Sequence, residues 1–259
     1  LLERIEETRL KQTKWTKKRS EGLPRWAMGL LMGLCIGLIV VALGGLVIYV
    51  LLTGGARKEF DELAQRVEKE TVGRPAGQTP KAYADLKAEN PDFVGWIKIE
   101  GTSVNYPVVQ TKAEPQYYLR RSFEGSYSIA GTPFLDAQCD MEKGIGLIIY
   151  GHNMNDGTMF AVLKKMADPK FRQEHPTAVL QTAEGTRTYR IVTALTTDTT
   201  QLPFNRTQFA GDEDFLSFAG SMLAGTGYTA QAGDRLLTLV TCAYDWDRAR
   251  TVVVAIEQN

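Results

Sequence analysis

The sequence predicts a mainly β fold of about eight strands, closed into a barrel or packed as a sandwich. Short helices are expected at its periphery, and a transmembrane helix and a helical extension precede it. Three observations support this prediction. From residue 93 onwards, short β-branched and apolar runs alternate with turn residues. Residues 26–52 hold no charged side chain, and residues 57–70 repeat apolar side chains at helical spacing.

The basic charge of the chain is concentrated at its N-terminus. Residues 1–26 hold eight Lys/Arg and four Glu, out of 30 basic and 30 acidic residues in all, so 22 basic and 26 acidic residues remain beyond them. Proteins that bind nucleic acid carry their basic charge on the folded domain, so we expect no nucleic-acid partner. Positive charge before an apolar run predicts a cytoplasmic tail at residues 1–25, with everything after Leu52 outside the cell.

The uncharged run at 26–52 is long enough to cross a membrane. Its 27 residues would span roughly 40 Å as a helix, against a hydrocarbon core of about 30 Å. A cleaved signal peptide is the alternative, but its apolar region is normally only about 7–15 residues long. We therefore predict a single-pass anchor in the cell membrane, with the lipid bilayer as a partner. Three glycines at four-residue spacing could form a helix-pairing face, although small residues are common in membrane helices: Gly29, Gly33 and Gly37.

Residues 53–92 are predicted to form a helical extension between the span and the β domain. Thr53–Ala56 is glycine-rich and predicts a hinge-like exit. Helices are predicted at Arg57–Glu70 and Lys81–Ala88, with a turn of Gly and Pro residues at 71–80 between them. A simple juxtamembrane stalk remains the alternative for the first of these helices.

Residues 93–259 make up the predicted β domain. A short helix is expected at Met159–Met166 and another at Asp212–Leu223, the latter with acidic residues near its start and a glycine near its end. The predicted strands are 94–99, 103–109, 132–136, 146–150, 177–182, 187–195, 235–242 and 251–256.

Three strand ends in this domain carry chemically active side chains. Cys242 ends the run 235–242, and Arg250 directly precedes the Val-rich run 251–256, so a hairpin would bring the two together. His152 follows the strand-like run 146–150. A thiol, an imidazole and a guanidinium together supply a nucleophile, a proton carrier and a stabiliser of negative charge.

Each of these residues also has an ordinary structural interpretation. Cys242 could be a small buried hydrophobe that finishes a strand, and His152 could serve only to stabilise its loop. The other histidine, His175, lies in a charged segment and is predicted to be a surface residue. Cys139 has acidic neighbours that would raise its pKa, and Cys35 lies in the apolar run. The three cysteines show neither a disulfide pattern nor metal-ligand spacing.

The same residues resemble the signature of sortases, the cysteine transpeptidases of Gram-positive cell surfaces. The Thr-Leu-Val-Thr-Cys run at 238–242, the Gly-His-Asn at 151–153 and the arginine before the last strand match in order. The resemblance covers roughly residues 80–257 and points to class B through further matches at 94–99, 104–110, 118–119 and 131–136.

The resemblance implies an eight-stranded sortase-type β-barrel and roles for individual residues. Cys242 would be the nucleophile, His152 the proton carrier and Arg250 the oxyanion donor, although Arg248 shares a face with Arg250 by spacing alone. Asp245 could orient His152, or it could be a solvated loop carboxylate. The peptide site would be lined by Leu119, Val240, Thr241 and the loop Thr193–Phe204. Leu119 and Val240 could equally be core residues. No metal or other cofactor is expected.

The implied function is the cleavage of a C-terminal sorting signal, LPxTG-like or NPxTN-like, through a thioester. The surface protein that bears the signal would then be transferred to an amine of a peptidoglycan precursor (lipid II). A sortase that polymerises pilins is one alternative, and a non-catalytic membrane-anchored module is another. An L,D-transpeptidase is disfavoured, because about ninety residues separate His152 from Cys242.

Overall fold

The computed structural model describes residues 24–71 and 81–258, and the chain divides into two compact units at Leu51/Leu52. The predicted basic tail lies outside the described residues except for Pro24 and Arg25. Most of the predicted turn, residues 72–80, also lies outside them.

The first helix, α1, spans Arg25–Thr71 and belongs to both units. In the first unit it is apolar and exposed: its most hydrophobic stretch has a mean hydropathy of 2.8 and none of it is buried. It is therefore a candidate membrane span by length and composition. Thr53–Ala56, predicted as a hinge-like exit, have helical backbone, because two glycines alone do not end a helix when residues on both sides favour it.

In the second unit, the remainder of α1 packs on the β domain. Ala56, Phe60, Leu63 and Val67 are buried at three- and four-residue steps, as the apolar spacing predicts. The ring of Phe60 meets the ring of Tyr106 edge-on, with centroids 5.3 Å apart. This part of α1 is thus a packed element of the domain, and the stalk alternative is wrong.

Eight strands form a closed barrel in the order β1-β2-β3-β4-β7-β8-β6-β5. Closure confirms the barrel and excludes the sandwich. Most neighbours are antiparallel, but β2–β3 and β4–β7 are parallel. The strands are β1 Phe93–Ile99, β2 Asn105–Val109, β3 Phe134–Leu135, β4 Gly146–Tyr150, β5 Thr177–Thr182, β6 Gly185–Thr197, β7 Leu236–Cys242 and β8 Arg250–Glu257.

Strand bounds differ most from the prediction in β3 and β6, and by one or two residues at one or both ends of β1, β2, β7 and β8. Strand β3 is reduced to two residues, because it pairs with β2 through a single residue pair. Strand β6 runs on to Thr197, since Thr193–Thr197 pair with β8 after a bulge. The segment predicted as a loop at Thr193–Phe204 therefore begins only at Asp198.

The helices of the barrel are short. Helix α2 is Lys81–Glu89, and the helix predicted at Met159–Met166 is a 3₁₀ helix at Ala161–Ala167, followed by α3 at Pro169–Glu174. Asp168 caps α3 by accepting the Lys170 N–H. A 3₁₀ turn at Tyr117–Arg120 was not predicted, and α4 occupies Asp212–Met222.

Candidate active site

One end of the β4–β7–β8 sheet brings the three predicted catalytic residues together. Cys242 pairs with Arg250 across the antiparallel β7–β8 hairpin. Tyr150 pairs with Val240 across the parallel β4–β7 ladder, and the next link is a bond from Gly151 N–H to the Val240 carbonyl, 3.0 Å. His152 therefore lies two residues beyond a paired position, as Cys242 does. Cys242 and Arg250 lie directly opposite each other and therefore share a face of the sheet, and His152 follows the end of the neighbouring strand β4.

Asn153 fastens the histidine loop to the end of β7. Its Nδ2 donates to the Cys242 carbonyl at 2.8 Å. This bond joins the residue after His152 to the residue that carries the thiol. In the sequence, Asn153 stands out only as part of the Gly-His-Asn motif, so this link is a structural finding.

A backbone carbonyl orients the ring of His152. Its Nε2 lies 2.7 Å from the Leu119 carbonyl oxygen. A carbonyl oxygen can only accept, so Nε2 carries the hydrogen and Nδ1 of the neutral ring is the free base. Burial lowers the pKa of His152, the charge of Arg120 lowers it further, and the Leu119 carbonyl raises it. The net direction of the pKa is downward, which favours the neutral ring.

The Leu119 carbonyl is itself held in place by its surroundings. The neighbouring Tyr118 hydroxyl bonds to Asn90 and to the Asp92 carboxylate, 3.0 Å away. Gly131 has a φ of +62°, and a Cβ there would lie 2.6 Å from the Leu119 carbonyl oxygen. Only glycine permits both this backbone conformation and this approach.

Gly151 is required for close packing behind His152. A Cβ at this position would lie 2.7 Å from the ring of Phe160, which is fully buried. The Phe160 N–H donates to the His152 carbonyl at 2.9 Å. The glycine of the motif thus lets Phe160 support the backbone of the histidine.

Most of the N–H donors of the Arg250 guanidinium have no hydrogen-bond partner among the described residues. Its Nη1 donates to the Ala249 carbonyl at 2.8 Å, and it forms no ion pair with any residue in the described part of the chain. A guanidinium carries five N–H donors, so most remain for a substrate. Arg248 is different: it lies out in the β7–β8 loop, with a φ of 63° and Asp247 3.7 Å away. Of the two arginines, Arg250 is the one that pairs with Cys242 in the β7–β8 register.

The remaining predicted site residues differ in accessibility. Leu119 is 36% exposed, whereas Val240 and Thr241 are 1% and 2% exposed and offer a peptide almost no surface. Asp245 is exposed on the β7–β8 loop, and the hydrogen bond of the His152 ring at Nε2 is to the Leu119 carbonyl.

The other cysteines and the second histidine lie outside this site. Cys139 is buried and its thiol donates to the Gly146 carbonyl at 3.4 Å; burial raises its pKa to about 12. Cys35 lies on the apolar part of α1. His175 is half-buried, with Nδ1 2.9 Å from the Glu100 carbonyl. Within 24–71 and 81–258, no three His, Cys, Asp or Glu residues are grouped so as to hold a metal ion.

Comparisons with known sequences agree with this geometry. Residues 97–258 match the family model of the sortase domain. The chain is 31% identical to sortase B of Staphylococcus aureus over 206 residues, which covers 77% of this chain and 83% of that protein. It is 33% identical to sortase B of Listeria monocytogenes over 185 residues, covering 68% and 74%.

Solved structures are similar over the same region. A sortase B complexed with triglycine aligns with a TM-score of 0.71 and 30% identity, covering 78% of this chain and 97% of that one. The Staphylococcus aureus sortase B–substrate complex aligns with a TM-score of 0.69 and 29% identity, covering 78% and 96%. Sortase B of Clostridium perfringens gives 0.62 and 32%, covering 68% and 99%.

Proposed function

This chain belongs to the class B sortases, which are cysteine transpeptidases, and we propose that Cys242, His152 and Arg250 carry its reaction. The observation that carries the proposal is the register of the sheet. Cys242 pairs directly with Arg250, and Asn153 binds the Cys242 carbonyl with His152 beside it.

In the first half-reaction, the thiol of Cys242 gives its proton to His152, and the thiolate attacks the carbonyl carbon of a peptide bond in the sorting signal. The negative charge moves to the carbonyl oxygen, where the unpaired donors of Arg250 stabilise it. As the C–N bond breaks, the imidazolium of His152 gives its proton to the leaving amine. The products are a thioester on Cys242 and a free C-terminal fragment.

In the second half-reaction, an amine attacks the thioester carbonyl. Neutral His152 takes a proton from the attacking nitrogen through Nδ1, which the Leu119 contact at Nε2 leaves free. The C–S bond breaks, the thiolate of Cys242 is restored and a new amide bond remains. The lowered pKa of His152 suits this step, because the base must be unprotonated near neutral pH.

The proposed substrates are surface proteins with an LPxTG-like or NPxTN-like sorting signal. The proposed acceptor is an amine of a peptidoglycan precursor such as lipid II. The solved sortase B with triglycine supports an acceptor with a free amine. Leu119, the accessible one of the three predicted groove residues, is proposed to contact the peptide, whereas Val240 and Thr241 would support the groove from below.

The proposed location is the cell membrane, with a single span at 26–52, the tail 1–25 in the cytoplasm and the barrel outside. The apolar, exposed first half of α1 supports a span. The Lys and Arg residues before the span support the orientation.

The deciding experiment traps the thioester. The full chain in detergent is incubated with a sorting-signal peptide, and the adduct is located by mass spectrometry. Cys242→Ala should abolish both the adduct and transpeptidation while the far-UV circular dichroism is unchanged. Cys139→Ala is the matched control and should retain both activities. Transpeptidation by the Cys242→Ala protein would eliminate the mechanism.

A further inference from the structure

The loop between Cys242 and Arg250 is exposed, and a hydrogen bond between Ala243 and Ala249 closes its base, which we call the neck. The Ala243 N–H donates to the Ala249 carbonyl at 3.0 Å, and the Ala249 N–H donates to the Trp246 carbonyl at 3.2 Å. Two large side chains of the loop are accessible to solvent: Tyr244 is 75% exposed and Trp246 is 40% exposed. The two residues that flank this loop, Cys242 and Arg250, carry the thiol and the guanidinium and pair with each other across the hairpin.

One side chain ties this loop to the rest of the barrel. The indole Nε1 of Trp246 donates to Oδ2 of Asp198 at 2.8 Å. Within the described ranges, this is the one hydrogen bond in which a side chain of residues 243–249 reaches outside the loop. Asp198 directly follows Thr197, which is the β6 partner of Arg250. The tie therefore connects the loop to the strand that flanks Arg250 on its other side.

Asp198 is an acceptor that several hydrogen bonds hold in place. Its second oxygen, Oδ1, accepts from the Thr200 hydroxyl at 2.5 Å, from the Thr200 N–H at 2.8 Å and from the Gln201 N–H at 3.1 Å. The residue is 9% exposed. The Thr200 hydroxyl and the Trp246 indole are the main causes that lower its pKa to about 2, so the carboxylate is ionised throughout the range in which a sortase would act. A buried carboxylate with four donors is a fixed point to which a loop can be tied.

We propose that Asp198 and Trp246 are positioning residues: their hydrogen bond holds the β7–β8 loop so that Arg250 and Cys242 keep the geometry needed for acyl transfer. The inference rests on the proposed roles of Cys242 and Arg250. Neither Asp198 nor Trp246 touches the reacting atoms. Their effect passes through the neck of the loop, and it is therefore expected on the rate of the chemical step.

The test uses three variants of the full chain in detergent: Trp246→Phe, Asp198→Asn and the double variant. Trp246→Phe keeps an aromatic ring but removes the indole N–H. Its kcat for thioester formation should fall about tenfold, the lower end of the range for residues that orient metal ligands in other enzymes, with KM within about twofold. In the Asp198→Asn background the same change should cost clearly less, because the bond is already weakened. Tyr244→Phe, in the same loop, is the matched control and should leave kcat and KM unchanged.

A second readout does not depend on catalysis. Amide hydrogen exchange at Ala243 and Ala249, the donors at the neck, should be about tenfold faster in Trp246→Phe, because release of the loop allows the neck to open. Unchanged exchange rates would show that the Trp246–Asp198 hydrogen bond does not hold the loop. Faster exchange with an unchanged kcat would show that this bond does not position the site. If the unaltered protein formed no thioester at all, the proposed function would fail instead, and the exchange rates would still decide whether the tie exists.

Discussion

At the scale of single residues, the turn at Tyr117–Arg120 governs the proton chemistry of His152. Its Leu119 carbonyl takes the Nε2 hydrogen, and its Arg120 places a positive charge near the ring. Burial and this charge both lower the pKa of His152. The unfolded chain therefore binds a proton more readily than the folded protein does. The contribution of His152 to stability is full above its ordinary pKa of about 6.5, and it is lost as the pH falls from there through the lower pKa of the folded protein.

Removal of the Arg120 charge should raise the pKa of His152. We expect Arg120→Gln to move the midpoint of the His152 ring signals to higher pH in an NMR titration, because burial then acts without the added repulsion. Arg121→Gln is the matched control: Arg121 is the next residue, but its guanidinium stacks on Tyr117 and donates to the Gly125 carbonyl. A midpoint that stayed in place or fell after Arg120→Gln would contradict this electrostatic account.

The contacts of single residues were only partly predictable from the sequence. The motifs around Cys242, His152 and Arg250 consist of residue types with recognisable chemistry, and the fold brings these residues together. The partner of the His152 ring is a backbone carbonyl, which every residue possesses. No residue type marks Leu119 for this role, so the bond becomes visible only when a turn 33 residues away lies beside the histidine. The same reasoning applies to the indole of Trp246 and the carboxylate of Asp198.

At the scale of elements, the parallel β4–β7 pair and the β7–β8 hairpin share strand β7, and the site lies at one end of these three strands. The β7–β8 hairpin is local and was predictable from two apolar runs with a short polar loop between them. The β4–β7 pair is not local, because its strands are separated by about ninety residues of chain. The register between β4 and β7 is therefore set only when the rest of the barrel has folded. Short elements were predicted least well: β3 has two residues, and the turn at Tyr117–Arg120 has four, too few for a periodic pattern.

The Asn153 bond should hold these two elements in register. Loss of its Nδ2 donor in Asn153→Ala leaves the Cys242 carbonyl without this partner and frees the histidine loop. We expect kcat/KM for transpeptidation to fall about tenfold or more, by analogy with residues that orient reactive groups in other enzymes, with little change in the melting temperature. Asn155→Ala, an exposed position in the same loop, should behave as the unaltered protein does. Equal activity of the two variants would show that the Asn153 bond does not position the site.

At the scale of the whole molecule, the barrel domain extends beyond its strands. The second half of α1 buries four apolar side chains, and helix α2 adds Ala82, Tyr83 and Leu86 to the same core. The periodicity of residues 57–70 predicted which face of the helix is buried, because apolar side chains at three- and four-residue spacing form one apolar face that packs against another element. The sequence could not identify the part of the barrel against which this apolar face packs. That surface lies on strand β2, where Tyr106 meets Phe60 and also accepts the Met159 N–H at 2.9 Å.

Phe60 should therefore stabilise the domain from outside the barrel sheet. Its side chain is 3% exposed and packs on Tyr106, so Phe60→Ala removes a buried ring and should lower the free energy of unfolding by about 3–5 kcal/mol. Denaturant unfolding of the full chain in detergent, followed by near-UV circular dichroism, measures the change. Glu62→Ala is the matched control on the same helix: its side chain is 64% exposed and its ion pair is with Lys58, also exposed, so a change of about 0.5 kcal/mol or less is expected. If α1 unfolds together with the strands, the stability lost in Phe60→Ala appears in the unfolding transition of the barrel. Equal effects of the two substitutions would therefore mean that α1 does not belong to the cooperative unit of the barrel.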